Sequence, residues 1–401
     1  MVATWTFNSA GGIIFGGGAL ERLGPLVVRY GAKRVMVVTD STLESVGVAK
    51  KVNDSLAPYC SDVEMFAGGT PEPSLQLTDK CFSVAKLIRP EVLIGVGGGS
   101  NMDLAKVTAL RLTHGGATRD YLGEDRVPGP VMPVVCVPTT AGSGSEVTGS
   151  VVLTDIENQV KVAILSNFLR PRAALIDPEL ALSCPAKVTA ESGIDALVHA
   201  IEAYTAIDYA DAKFPEGEET LFPGCNPMGQ MVAAQGIQHV ARFLVDAVKQ
   251  PDDLDARTGM AMAAMLGGLA FSNACVALVH AMEYPLGGLV HCSHGQGNGL
   301  LLPYVMRFNS PTRTNEFAQI AGWLGEEVND KPVEQAAQQA VMAVERLNNE
   351  IGIPKRLSDI GVRSEDILPM AEKAFSIKRL LRFNPRHVDL EDIVRIYSDA
   401  L

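Results

Sequence analysis

The stretch Val92-Leu-Ile-Gly-Val-Gly-Gly-Gly-Ser-Asn-Met-Asp103 joins a short apolar run to a glycine-rich loop and then to a helical pattern. A short, continuously apolar run is typical of a strand covered on both faces of a parallel sheet. Three further apolar runs alternate with two helical stretches, the runs at 34–40, 133–138 and 174–177 and the helices at 19–29 and 77–88. Alternating strands and helices predict an α/β domain built on a parallel sheet.

The pattern changes near residue 183. Strand signals end there, and helical periodicity with many Ala and Met residues continues to residue 401. We therefore predict an α/β domain over residues 1–182 and an all-helical domain over residues 183–401. The uncharged run 258–279 has the length of a membrane span, but a helix buried on all sides explains it better.

Composition and charge narrow the class of partner. The net charge of −12, with no basic stripe, argues against a nucleic acid or an anionic membrane. Seven cysteines, none of them in a C-x-x-C pair, indicate thiols in a reducing compartment. The first residues lack the charged start and apolar core of a signal peptide, so we expect a cytoplasmic protein.

Two loops rich in small residues follow neighbouring predicted strands, Gly95–Asp103 and Pro138–Glu146. Glycines let backbone N–H groups approach a phosphate, and a helix N-terminus adds partial positive charge. Neither loop is a G-x-G-x-x-G or a P-loop motif, so a purely structural tight turn is the alternative. Because loops after parallel strands meet at one sheet edge, the pair favours a nucleotide site.

Asp40 ends the first of the predicted strands. A carboxylate at a strand end can accept from a ribose 2′-hydroxyl and would repel a 2′-phosphate, which favours NAD over NADP. The equally good interpretation is a helix cap, since Asp is a preferred capping residue.

Histidines and one aspartate suggest a metal site in the helical half. Asp195 and His199, within Gly193-Ile-Asp-Ala-Leu-Val-His-Ala-Ile-Glu202, lie one helical turn apart and can bind one divalent cation. Taken alone, such a spacing more often indicates a surface Asp–His pair. His280, His291 and His294 are close in sequence and can supply the remaining imidazoles. One Asp with three His forms a site for a first-row divalent cation.

At this point the sequence resembles the iron-containing (group III) alcohol dehydrogenase family over essentially its whole length. The resemblance is carried by these stretches: Gly97–Lys106, Pro138–Glu146, Ile176-Asp-Pro, Gly193–Glu202, His280 with Pro285-Leu-Gly, His294-Gly, and Asn384-Pro-Arg. It implies a dehydroquinate synthase-like fold, in which an α/β NAD(P)-binding domain precedes an all-helical metal- and substrate-binding domain.

The resemblance also implies cofactors and residue roles. The implied metal ligands are Asp195, His199, His280 and His294, with Fe²⁺ the usual metal and Zn²⁺ the alternative. The implied contacts to NAD, or to NADP, are Asp40, Gly98, Gly99, Ser100, Asp103, Thr139, Thr140, Ser143 and Lys161. The activity implied is reversible hydride transfer between a small alcohol and nicotinamide, in a homodimer or larger homo-oligomer.

Three positions depart from the family pattern. Tyr284 stands where many members have a proton-shuttling His, so the candidate catalytic side chains are His280, His291 and Tyr284, with the cofactor ribose or water as other relays. Glu72 replaces an Asn common in members that bind the adenosine half. The 208–226 loop is longer than in compact members. It could shape the substrate pocket, or it could equally be a solvent-exposed insertion with no role.

Other functions would place different demands on the sequence. A hydroxy-acid or other specialised oxidoreductase of the same family is the main alternative, although no Arg near the ligands identifies a carboxylate partner. A dehydroquinate synthase-like lyase would need a cluster of Lys and Arg around the metal segments, and none is present. A non-catalytic NAD- or metal-binding regulator and a metal-free reductase are disfavoured by the complete ligand set.

Overall fold

The computed structural model describes residues 4–158, 160–213 and 220–401. It divides into two compact units. We call Asn8–Cys184 the sheet unit, and Pro185–Leu401 together with Met1–Phe7 the helical unit.

The sheet unit is built on a six-stranded parallel sheet with strand order β1-β9-β6-β4-β2-β3. Its strands are β1 Ile13–Phe15, β2 Arg34–Val38, β3 Asp62–Phe66, β4 Val92–Gly97, β6 Val134–Pro138 and β9 Ala173–Ile176. A smaller sheet contains β5 Gly123–Glu124, β7 Ser150–Asp155 and β8 Val160–Leu165. The helices of this unit are α1 Leu23–Arg29, α2 Ser41–Ser45, α3 Val48–Leu56, α4 Leu75–Ile88 and α5 Gly99–His114. The prediction of a parallel sheet is confirmed.

Two apolar layers cover the two faces of the main sheet. Side chains alternate along β2, so that Met36 and Val38 join one layer while Val35 and Val37 join the other. Continuous apolar strands are needed because both faces are buried, which is why the sequence pattern of these central strands is easy to recognise. Helix α5 lies inside the first layer and is buried along most of its length.

The helical unit contains ten α-helices within the described residues. They are α6 Ala186–Thr205, α7 Pro227–Lys249, α8 Leu254–Ala274, α9 Leu278–Val290, α10 His294–Asn309, α11 Thr314–Trp323, α12 Val333–Ile351, α13 Ile367–Ser376, α14 Lys378–Leu381 and α15 Leu390–Ala400. The apolar run 258–279 belongs to α8 and the start of α9, which meet at 107°. Within the described residues no single helix is long and apolar enough to cross a membrane. Taken together, the two helices of this bent pair have the length and composition of a membrane span.

The 208–226 loop is held at its base. Asp208 and Cys225 form a β-bridge, and Arg313 makes an ion pair with Asp208 at 2.9 Å. The Arg313 guanidinium also donates to the carbonyls of Thr205 and Ala206, at the end of α6. The two ends of the loop are thereby fixed beside α6, while residues 214–219 lie outside the described part of the chain.

Candidate metal centre

All four predicted metal ligands come together in the helical unit. Asp195 and His199 lie on α6, His280 lies on α9, and His294 is the first residue of α10. One ligand atom from each residue lies within 4.8 Å of the others. Asp195 Oδ1 is 4.0 Å from His280 Nε2 and 3.9 Å from His294 Nε2, and Oδ2 is 3.8 Å from His199 Nδ1. These separations suit four ligands arranged around one cation, each about 2.0–2.2 Å from it.

Small residues let the helices approach closely enough to form the cluster. A Cβ on Gly295, in the first turn of α10, would lie 1.9 Å from the carbonyl oxygen of Glu191 on α6. A Cβ on Gly267 of α8 would lie 3.0 Å from the carbonyl oxygen of Ala196. Ser293 caps α10 by accepting from the Gln296 N–H, which sets His294 as its first residue.

Two buried carboxylates orient two of the imidazoles. Glu202 Oε2 lies 2.6 Å from His280 Nδ1, and Glu283 Oε2 lies 2.5 Å from His294 Nδ1. A carboxylate that accepts from Nδ1–H leaves Nε2 unprotonated and available to a metal, as in carboxylate–histidine–metal triads. The Nε2 atoms of both rings point to Asp195, as the distances above require. Sequence reasoning assigned no role to either glutamate, although both lie within the stretches that carry the ligands.

Electrostatics favour an ionised carboxylate at the centre of the cluster. Burial alone would raise the pKa of Asp195, but His199, His294, His280 and a hydrogen bond from Asn298 lower it to about 2. The group is therefore a carboxylate at neutral pH and brings negative charge to a buried site.

Asn298 gives a direct test of whether a cation fits. Its Nδ2 lies 2.8 Å from Asp195 Oδ1, 3.2 Å from His280 Nε2 and 3.1 Å from His294 Nε2. Three electron-rich atoms thus converge on one donor group, and the Asn298 Oδ1 atom is buried without a hydrogen-bond partner among the described residues. One carboxylate and three imidazoles are a donor set that suits Fe²⁺ or Zn²⁺, so the residues fit the implied metal.

The two other candidate catalytic residues occupy different places. The Tyr284 ring lies 6.2 Å from the His294 ring, next to the cluster. His291 ends α9 in a left-handed conformation with φ of 55° and is exposed, outside the group of four. The structure therefore brings Tyr284 to the candidate metal centre and does not bring His291 into it.

In the sheet unit the two predicted phosphate loops lie side by side. They follow β4 and β6, which pair in parallel with Gly97 opposite Pro138. A Cβ on Gly99 would lie 2.8 Å from Ser143 Oγ, and one on Gly98 would lie 3.4 Å from Thr140 Oγ1. Gly98 is the N-cap of α5, so backbone N–H groups of the first turn are presented beside the second loop.

Asp40 is a helix cap in this structure. Its Oδ1 accepts from the N–H groups of Thr42 and Leu43 at the start of α2. Its Oδ2 accepts from Asn101 Nδ2 at 2.7 Å, which ties the end of β2 to the glycine-rich loop. The capping interpretation is therefore correct, and a ribose contact by the same carboxylate stays a prediction.

Asp103 and Lys161 also have partners within the protein. Asp103 accepts from Ser145 Oγ at 2.6 Å and from the Val152 N–H at 2.9 Å. Lys106, fully buried, donates to Ser145 and lies 3.6 Å from Asp103. These contacts hold the second loop against α5.

Lys161 makes an ion pair with Glu72 at 3.0 Å. Glu72, which departs from the family pattern, thus pairs with Lys161, the residue that the resemblance places at the cofactor.

The chain thus combines a parallel-sheet unit with a helical unit that carries an Asp/His₃ cluster. This combination is that of a two-unit, metal-binding protein. A sequence model of the iron-containing alcohol dehydrogenase matches residues 10–178, and a model of the C-terminal part of that family matches residues 218–401. The chain therefore belongs to the iron-containing alcohol dehydrogenase family, and the resemblance is confirmed.

Relatives and solved structures agree with this assignment. The chain is 36% identical over 388 residues to the NAD-dependent methanol dehydrogenase of Bacillus methanolicus, covering 97% of each chain. It is 36% identical over 388 residues to the 1,3-propanediol dehydrogenase of Klebsiella pneumoniae, covering 96% of each chain. A crystal structure of a 1,3-propanediol oxidoreductase superimposes with a TM-score of 0.93 at 35% identity, over 99% of this chain and 100% of that one.

Proposed function

We propose that this protein catalyses reversible hydride transfer between a small primary alcohol and NAD, with Fe²⁺ held by Asp195, His199, His280 and His294. The observation that carries the proposal is the convergence of these four ligands, two of them oriented by buried glutamates. Family membership supports the reaction class. Zn²⁺ and NADP are the alternatives to be compared.

The chain's own residues prepare the reaction by position and charge. A divalent cation, when bound, supplies Lewis acidity that favours loss of the alcohol proton. Asp195 brings one negative charge to the cation, while Glu202 and Glu283 hold two imidazoles in the tautomer that binds it. Nicotinamide, when bound, would supply the hydride acceptor, and the protein would contribute position and electrostatics.

The alcohol proton must leave the site. Tyr284 lies beside His294 and can hold a hydrogen bond to the alcohol oxygen or to a water that carries the proton away. His291 stays a candidate for the relay to solvent, since it is exposed at the end of α9.

For the sheet unit we propose NAD binding by the two loops. Gly98, Gly99 and Ser100 would present the first turn of α5 to the pyrophosphate. The second loop would contribute Thr139, Thr140 and Ser143. These residues come just before Ser145, whose hydroxyl bonds to Asp103 and Lys106 on α5.

Asp40 and Lys161 would make the remaining cofactor contacts. Asp40 would favour NAD, because a carboxylate at this strand end repels a 2′-phosphate.

The domain roles form part of the same proposal. We assign NAD binding to residues 1–182, and metal and substrate binding to residues 183–401. Seven cysteines that form no disulfide within the described residues are consistent with a cytoplasmic protein. Assembly as a homodimer or larger homo-oligomer stays a prediction.

The test is reconstitution of the metal-free protein with Fe²⁺ or Zn²⁺ and measurement of nicotinamide absorbance over a panel of primary alcohols and aldehydes. We expect turnover that depends on added metal and is lost in His294→Ala. His239→Ala is the matched control, because His239 is a half-buried histidine of α7 outside the cluster. Absence of turnover with either metal and either dinucleotide would contradict the proposal.

A further inference from the structure

Arg379 approaches the candidate metal centre from a different helix. The short helix α14 packs against α9, and the Arg379 guanidinium carbon lies 5.9 Å from the centre of the Tyr284 ring. This is within the distance of a cation–π contact. The Tyr284 ring in turn lies 6.2 Å from the His294 ring. The distance from the Arg379 guanidinium carbon to the centre of the His294 ring is therefore at most the sum of these two distances.

This side of the cluster is the accessible one. The side chain of His294 is 33% exposed, whereas those of Asp195, His199 and His280 are 7%, 6% and 3% exposed. His294 is therefore the ligand most open to solvent, and its neighbour Tyr284 is the ring that Arg379 contacts.

The charge of Arg379 is not balanced locally. Across residues 4–158, 160–213 and 220–401, Arg379 makes no ion pair, and its guanidinium contacts the Tyr284 ring. This is unusual in a chain in which 46 acidic residues outnumber 34 basic ones. The side chain is half-buried, and Lys378 next to it adds a second cation on the same turn. A guanidinium with free donors forms a planar fork that matches a carboxylate in two hydrogen bonds.

We propose that Arg379, supported by the Tyr284 ring, binds the carboxylate of the substrate, so that the preferred alcohol is an ω-hydroxycarboxylate. This deepens the proposed function and rests on it. The hydroxyl end would reach the metal ligands and the carboxylate would remain at Arg379, chemically unchanged. One hydride passes from the hydroxyl-bearing carbon to NAD and one proton from the hydroxyl to solvent, which leaves an aldehyde at that end of the molecule.

Sequence reasoning found no arginine near the ligands because Arg379 is far from them along the chain. Only the packing of α14 on α9 brings it to Tyr284. Tyr284 would then support the Arg379 cation through its ring as well as form a hydrogen bond through its hydroxyl.

The kinetic test compares straight-chain ω-hydroxycarboxylates of increasing length with the α,ω-diols of equal length, using the full chain reconstituted with Fe²⁺. We expect a higher kcat/KM for the hydroxy acid than for its matched diol at one or more lengths. Arg379→Met should lower kcat/KM for the hydroxy acid by about 10- to 100-fold, mainly through KM, because a charge-assisted bidentate contact is lost. The same variant should change kcat/KM for the diol by less than about threefold, since neutral substrates make no such contact.

Two further variants separate recognition from structure. Arg379→Lys keeps the charge without the planar fork, and we expect it to restore part of the loss. Arg242→Met is the matched control, because Arg242 also lies over an aromatic ring of the helical unit, Phe243, at 4.8 Å. It should leave both substrate classes unchanged.

A binding measurement keeps this inference separate from the proposed function. Succinate and glutarate, which cannot be oxidised here, should bind the metal-loaded protein in calorimetry and lose affinity in Arg379→Met. If diols are oxidised but no hydroxy acid is preferred and neither dicarboxylate binds, the inference is overturned while the proposed function stands. An equal loss for acid and diol in Arg379→Met would also overturn it, because that result indicates a structural role. If no alcohol is oxidised at all, the proposed function fails and calorimetry alone decides the role of Arg379.

Discussion

Glu202→Gln should weaken divalent-metal binding although it changes no ligand. Glu202 uses both carboxylate oxygens: Oε1 accepts from the Val279 N–H at 2.7 Å, and Oε2 accepts from His280 Nδ1 at 2.6 Å. Glutamine has one acceptor oxygen in place of two, so it cannot accept from both the Val279 N–H and His280 Nδ1–H. If the amide NH₂ faces His280, the ring must carry its proton on Nε2, the atom that would bind the metal.

The magnitude follows from the same contacts. Loss of the group that orients a ligating histidine costs about 10- to 100-fold in metal affinity. This corresponds to about 1.4–2.8 kcal/mol of binding free energy. A hydrogen bond to a charged group contributes about 1.5–3 kcal/mol, so the loss of one such bond accounts for the effect. At a fixed metal concentration well above the Kd, the stabilisation by metal falls by the same amount.

The assay is competition for Fe²⁺ or Zn²⁺ between the metal-free protein and a chromophoric chelator, with the melting temperature recorded in parallel. Glu345→Gln is the control, because Glu345 is an exposed glutamate of the same unit that pairs with Arg307. A Kd for Glu202→Gln within about twofold of the unmodified protein would refute the reasoning, since orientation of His280 would then contribute nothing.

Three further changes test the packing around the two sites. Gly295→Ala should weaken metal binding by at least about tenfold in the same assay, because its Cβ meets the backbone of α6; Gly288→Ala, with no atom within 4 Å of its Cβ, should leave metal binding unchanged. Lys106→Met should lower the free energy of unfolding by about 3–5 kcal/mol in denaturant titrations, because Asp103 stays buried without its cation. Glu146→Gln should increase stability at pH 8 by about 3 kcal/mol and leave it nearly unchanged at pH 4, since burial raises the pKa of Glu146 to about 7.

The sign of the last effect follows from proton binding. An unfolded glutamate ionises near pH 4.3, whereas the folded carboxyl keeps its proton up to about pH 7. Between these values the folded state binds more protons, so stability falls as pH rises and stays lower above pH 7. A difference between variant and unmodified protein that does not change from pH 4 to pH 8 would contradict this. For Lys106→Met the contradicting result is unfolding at the original denaturant midpoint, and for Gly295→Ala it is an unchanged metal Kd.

The central sheet was predictable because its strands are buried on both faces. Four of its strands are continuous apolar runs: β2, β4, β6 and β9. They are apolar because every residue in them is buried, except the first residue of β2. β1 and β3 lie at the two edges of the sheet and have partly exposed side chains, so their sequences carry a weaker signal. β7 alternates buried and half-buried positions along six residues, a period-2 pattern that the sequence interpretation did not use.

Residue type and spacing predicted part of the metal site, and the choice of His280 and His294 rested on the family resemblance. Asp195 and His199 share one helix face, and the remaining histidines are few. The groups that orient them depend on packing between helices, so Glu202, Glu283 and Asn298 could be found only once α6, α9 and α10 were placed. Pairs at i, i+4 such as Asp195 and His199 can be recognised in a sequence; contacts between helices that are distant in the chain cannot.

The position of the four ligands along the chain has a consequence for unfolding. Two ligands lie on α6, and the other two follow α7 and α8, so a bound cation closes this part of the chain into a loop, much as a disulfide would. The short connection from α9 to α10 closes a second loop through His280 and His294. Removal of the ion would reopen both loops, and backbone amides at the start of α9 and α10 should then exchange hydrogen sooner than those of the parallel sheet. The ion would thus act as a reversible cross-link of the helical unit, in addition to its role as a Lewis acid.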